Sequence, residues 1–118
     1  MEASPLILTL SLNEEAFLFF DRLRKQHFPT ERNFLSAHLT LFHHLPSNET
    51  KILKDILLQT TIQSAFPLTV TDVVSIGLGV AFKIESQPLV NLHKQLQQKW
   101  QDWLIPQDKQ KLWPHITV

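Results

Sequence analysis

Apolar and polar residues alternate at the start of the chain. Leu6, Leu8, Leu10 and Leu12 share one face, and Thr9 and Ser11 lie on the other. A period of two predicts a strand over residues 6–12. Asn13 then offers N-cap chemistry, with Glu14 and Glu15 in a first turn where the helix dipole favours anions. The helix that follows is expected to run to about Phe28, with Phe17, Phe20 and Leu23 inward. Asp21, Arg22 and Lys25 are expected to face water, and Pro29 to stop the helix.

A second strand is predicted over residues 37–45. Pro46-Ser47-Asn48 is turn chemistry, and Ser47 reads as the cap of a second helix with Glu49 in its first turn. Ile52, Leu53, Ile56 and Leu57 supply that helix's apolar stripe. Residues 66–76, rich in Thr and Val, read as a third strand. Gly77-Leu78-Gly79 joins it tightly to a fourth at 80–85, which predicts a hairpin. Ser86 caps a third helix, with Pro88 in its first turn and a stripe of Leu89, Leu92, Leu96, Trp100 and Trp103. A loop over 104–112 leads to a last strand at 113–118, beginning beside Pro114. The order β-α-β-α-β-β-α-β predicts one α+β domain over residues 1–118, with helices packed on mainly antiparallel sheet.

Composition narrows the function classes. The chain of 118 residues has no cysteine, which removes disulfides, thiolate metal sites and a cysteine nucleophile together. Eleven basic residues balance eleven acidic ones, so the bulk charge carries no strong nucleic-acid footprint. No apolar run approaches the ~18 residues of a membrane span, and the acidic N-terminus does not resemble a secretory signal. The expectation is a soluble, cytoplasmic protein.

Two segments carry candidate chemistry. His38-Leu39-Thr40-Leu41 and His115-Ile116-Thr117-Val118 are each His, aliphatic, Thr, aliphatic, and both fall in predicted strands. Alternation would put His38 and Thr40 on one face and Leu39 and Leu41 on the other, with the same division in the second segment. Two such matches among six histidines arise by chance with a probability of roughly 0.3%. Imidazole can give or take a proton near neutral pH. One histidine can activate a nucleophile while the other protonates a leaving group. The Thr hydroxyls can donate to nonbridging oxygens, so the set suits displacement at a phosphodiester without requiring a metal.

The two H-x-T-x motifs resemble those of the 2H phosphoesterase superfamily, the group of 2′-5′ RNA ligase-like proteins and 2′,3′-cyclic phosphodiesterases. The short apolar strand, the helix ending near Pro29 and the strand bearing the first motif are also similar. The resemblance covers most of the chain. It implies a bilobal α+β fold with a central cleft, His38 and His115 as the catalytic pair, and Thr40 and Thr117 as phosphate-binding residues. The implied reaction opens 2′,3′-cyclic phosphates, or cleaves or joins 2′-5′ bonds, of RNA or small nucleotides, with no cofactor. Family members continue past the second motif, whereas this sequence ends at Val118. A fragment or truncated form with an incomplete second lobe is therefore expected.

Other readings stand beside this one. The chain could be a non-catalytic RNA- or nucleotide-binding domain of the same fold, a truncated inactive form, or a regulatory or assembly domain. A metal site at His38, His43 and His44 is disfavoured, because odd offsets on a strand point to opposite faces. His27 and His93 fall in predicted helices, where surface or helix-end roles are expected. Lys83 and Arg32 could meet a phosphate. Trp100 and Trp103 could stack a base, although helical spacing favours core packing. Oligomeric state is open.

Overall fold

A computed structural model describes residues 4–33, 35–60, 66–77 and 79–118. The element order is β1 (Leu6–Leu10), α1 (Glu14–His27), β2 (Leu39–Leu45), α2 (Thr50–Thr60), β3 (Thr69–Ser75), β4 (Val80–Glu85), α3 (Gln87–Lys99) and β5 (His115–Thr117). The fold is α+β. β1 and β2 form a two-stranded sheet, and β3, β4 and β5 a three-stranded one in that order. Both pairings in the larger sheet are antiparallel, with a register shift between Val70 and Asp72.

Local chemistry accounts for most boundaries. Asn13 Oδ1 accepts from the Ala16 amide at 2.8 Å, and Ser86 Oγ accepts from Leu89, so both helices start on side-chain caps. Gly77 has φ +93°, a region that costs other residues about 1–2 kcal/mol, and the Ile76 amide donates to Gly79 O across the turn. Several boundaries differ from expectation. Ser47 opens a single 3₁₀ turn, Ser47–Glu49, with no side-chain cap, and α2 begins only at Thr50. α3 ends at Lys99, because the Trp103 amide bonds to Trp100 O and tightens the chain into a turn. Trp103 therefore lies beyond the helix whose stripe it was expected to join. Within the expected loop at 104–112, Pro106–Lys109 forms another 3₁₀ turn.

The chain divides into two compact units. The first comprises Met1–Leu8, Leu41–Leu68 and Ser86–Leu112. Here α2 packs on α3, and Leu89, Leu92, Leu96 and Trp100 are buried as the stripe predicts. Leu53 is also buried, while Ile52 lies exposed. His93 departs from its expected surface place. It is 3% exposed, stacks on Phe42 with ring centroids 4.6 Å apart, and donates through Nε2 to Leu41 O. Burial pushes its pKa down, opposed by that bond and by Asp108.

The second unit comprises Thr9–Thr40, Thr69–Glu85 and Trp113–Val118. It brings α1 against the three-stranded sheet through Phe20 and Phe82, whose rings meet edge-on at 5.2 Å. Such a pair adds about 0.5–1.5 kcal/mol beyond its buried area. Asp21 was expected to face water, yet it is buried, as is Arg24. Both continue the stripe of Phe17 and Phe20 at helical spacing, so the buried face of α1 carries a carboxylate and a guanidinium.

Candidate functional site

Both H-x-T-x segments bring their histidine and threonine to the second unit. Leu39, Leu41, Ile116 and Val118 are buried, while His38, Thr40, His115 and Thr117 are half-buried, so the expected alternation holds in each segment. His115 opens β5. His38 differs: it precedes β2, which starts at Leu39 rather than Ala37. The cause is local. The Ala37 amide donates to Asp21 Oδ1 at 3.0 Å instead of to a neighbouring strand.

The two imidazoles are held in the same way. His38 Nδ1 donates to Ser36 O at 2.8 Å, and His115 Nδ1 donates to Trp113 O at 2.8 Å. A carbonyl oxygen only accepts, so each neutral ring carries its proton on Nδ1 and keeps the Nε2 lone pair. In both cases the acceptor lies two residues upstream of the histidine. The Trp113 indole also stacks on the His115 ring, with centroids 4.2 Å apart and planes at 25°.

β4 adds a cation beside the second motif. His115 is the register partner of Lys83, and Thr117 of Ala81. The bonds Ile84 N to Pro114 O and Val118 N to Val80 O flank these pairs. The His115/Lys83 position is thus a non-hydrogen-bonded pair, where facing side chains come closest. Arg32 lies exposed in a 3₁₀ turn, Thr30–Arg32.

Two α1 residues missed by the sequence reading hold the stretch that leads into the first motif, and one of them, Arg24, also holds a carbonyl of the second. Arg24 Nε donates to Asn33 Oδ1 at 2.9 Å and to Leu35 O at 3.0 Å, and its Nη1 donates to Thr117 O at 3.0 Å. The rigid fork keeps the Leu35 and Thr117 oxygens within roughly 8 Å of each other. Its Cζ lies 3.9 Å from the centroid of the Phe28 ring. Burial pulls Arg24 below its ordinary pKa, against the raising effect of Asp21. The Ala37 amide holds the Asp21 carboxyl below its ordinary range; burial opposes this, and Lys25, 3.3 Å away, adds to the lowering. The available signal was a pair of opposite charges at stripe positions of an amphipathic helix.

The remaining histidines have other surroundings. His43 Nδ1 donates to Asp108 Oδ1 at 3.1 Å, and the same buried carboxylate accepts the His43 and His44 amides. Among the described residues no group of three or more His, Cys, Asp or Glu side chains could hold a metal. His27 is exposed in the last turn of α1, and Trp100 is buried in the first unit. No described helix is long and apolar enough to cross a membrane.

No curated protein and no solved structure matches the chain. A family model does: the 2′-5′ RNA ligase superfamily, over residues 12–118. The match spans both H-x-T-x segments and nearly all of the chain, and with the α+β order it agrees with the motif resemblance: the chain belongs to the 2′-5′ RNA ligase superfamily.

Proposed function

We propose that this chain is a metal-independent phosphoesterase of the two-histidine type, acting on 2′,3′-cyclic phosphates or 2′-5′ phosphodiester bonds of RNA or small nucleotides. Superfamily members generally catalyse phosphoester cleavage or ligation, which sets the coarse class. The observation that carries the finer reading is the matched hold on His38 and His115. Each Nδ1 is committed to a backbone carbonyl, which leaves Nε2 for proton transfer.

In the hydrolytic direction, one neutral Nε2 takes a proton from water as its oxygen bonds to phosphorus. The opposite P–O bond breaks, and the departing ribose oxygen takes a proton from Nε2–H of the other, protonated ring. Which histidine plays which part depends on the direction of reaction. Thr40 and Thr117 would donate to the nonbridging oxygens, whose charge grows in the transition state.

The test is hydrolysis of a 2′,3′-cyclic nucleotide in EDTA, comparing the unmutated chain with His38→Ala and His115→Ala. Each variant is expected to lose about 10²-fold or more in kcat, and the rate to follow a bell-shaped pH profile. Variants as fast as the parent would overturn the reading, as would activity lost to the chelator and restored by zinc. Nucleotide binding without turnover would make the chain a binding domain instead.

A further inference from the structure

We infer that Asp21 and Arg24 form a latch on α1 that aligns the two histidines, acting as positioning residues for the reaction. The inference rests on His38 and His115 being the reacting pair. The anchor points lie on the stretch leading into the first motif and within the second. Asp21 grips the amide of Ala37, the residue before His38. Arg24 grips Leu35 O, next to Ser36, whose own carbonyl holds the His38 ring. Through Nη1 it grips Thr117 O in the second motif, 93 positions away. The two side chains are three positions apart, so they leave α1 on the same face.

The energetics favour alignment over simple stability. A buried cation and carboxylate are costly, and apolar residues of similar volume often serve stability as well or better. Here the donors of the cation go to Asn33 and to the neutral carbonyls of Leu35 and Thr117. The ion pair of Asp21 is with Lys25, whose side chain is 73% exposed, so that pair contributes little. A displacement of about 1 Å between reacting groups can cost about 10²-fold in rate, so a clamp spanning both motifs acts on catalysis.

The variants Arg24→Lys, Asp21→Asn and Asp21→Leu separate the roles. A single ammonium cannot span the three acceptors of Arg24. Asn at position 21 keeps an oxygen for the Ala37 amide, and Leu does not. Two readouts are needed: kcat and KM for a 2′,3′-cyclic nucleotide, and the ¹⁵N side-chain signals of His38 and His115, followed across a pH series. In Arg24→Lys and Asp21→Leu, kcat is expected to fall about 10- to 100-fold while KM changes less than about threefold. Their histidine signals should move from the single Nδ1–H form toward a tautomer mixture. Asp21→Asn should stay within about threefold of the parent and keep its signals. Leu92→Ala, in the other unit, controls for general loss of stability and should leave the signals in place.

Folded Arg24→Lys and Asp21→Leu proteins with parental kcat and parental histidine signals would overturn the latch. Should Arg24→Lys fail to fold, the Asp21 pair carries the same decision. If the unmutated chain turns over no cyclic nucleotide, the proposed function fails separately. The signals alone then decide whether the latch orients the rings: movement in Asp21→Leu but not in Asp21→Asn supports it, and no movement in either overturns it.

Discussion

Lys83 lies directly across the β4–β5 ladder from His115, at a pair position where the facing side chains are closest. Asp72 flanks Lys83 from the other side, on β3. Lys83 thus shares a sheet face with one proposed catalytic imidazole, where a substrate phosphate would bring negative charge. Lys83→Ala is expected to raise KM for a cyclic nucleotide about tenfold while kcat changes less than about threefold. Lys83→Arg should retain most of the affinity. The parent's KM should also be more salt-sensitive than the alanine variant's, since part of the attraction is electrostatic. A KM unchanged in Lys83→Ala would remove the residue from the substrate site.

His93 predicts a pH dependence of stability. Burial depresses its folded-state pKa below the unfolded value of about 6.5. Above that value both states are neutral and the full stability is present. As pH falls through it, the unfolded chain takes up its proton first and stability drops, until the folded ring also titrates. The melting temperature should fall between about pH 7.5 and 5.5, and fall less in His93→Gln, which can still donate to Leu41 O. Parallel curves for the two proteins would show that His93 contributes nothing to the slope.

Asp108 is 2% exposed and accepts from two consecutive β2 amides as well as the His43 ring. Asp108→Ala removes the acceptor from these donors and is expected to cost about 2–3 kcal/mol in urea unfolding. Asp108→Asn keeps one oxygen but turns an NH₂ toward an N–H, and should cost about half as much. A loss below about 0.5 kcal/mol for alanine would mean that water replaces the carboxylate.

The glycines of the β3–β4 turn make a paired comparison. Gly77 sits at φ +93°, so Gly77→Ala is strained and should cost about 1–2 kcal/mol in thermal unfolding. At Gly79 an added Cβ would meet nothing nearer than Ile76 at 3.8 Å, an ordinary contact. Gly79→Ala should stay within about 0.5 kcal/mol of the parent. Equal losses at the two positions would contradict the left-handed conformation of Gly77.

The local periodicities of this chain are strong enough to be read directly. Alternation marks both H-x-T-x segments, Asn13 and Ser86 cap the helices they precede, and the Leu89–Trp100 stripe points to a buried face. These features depend on residues within a turn or a strand of one another. The repeated motif is legible for the same reason, and it identifies the family without any knowledge of what surrounds it.

The remaining features depend on partners far away in sequence. Asp21, Arg24, His93 and Asp108 are polar, and their composition alone assigns them to solvent. Each is buried because a distant backbone group supplies the compensating bond: Ala37 N, Thr117 O, Leu41 O and the His43 and His44 amides. His38 stands outside β2 because one of those bonds takes the neighbouring amide out of the ladder. The pairing of Lys83 with His115 likewise follows from register across β4 and β5. By itself, then, the sequence determined the elements, the faces of the two motifs and the family, because each is encoded in short-range spacing. Only the tertiary structure decided which charges are buried and which backbone groups they hold, because a buried polar group is stable only where a partner has been brought to it.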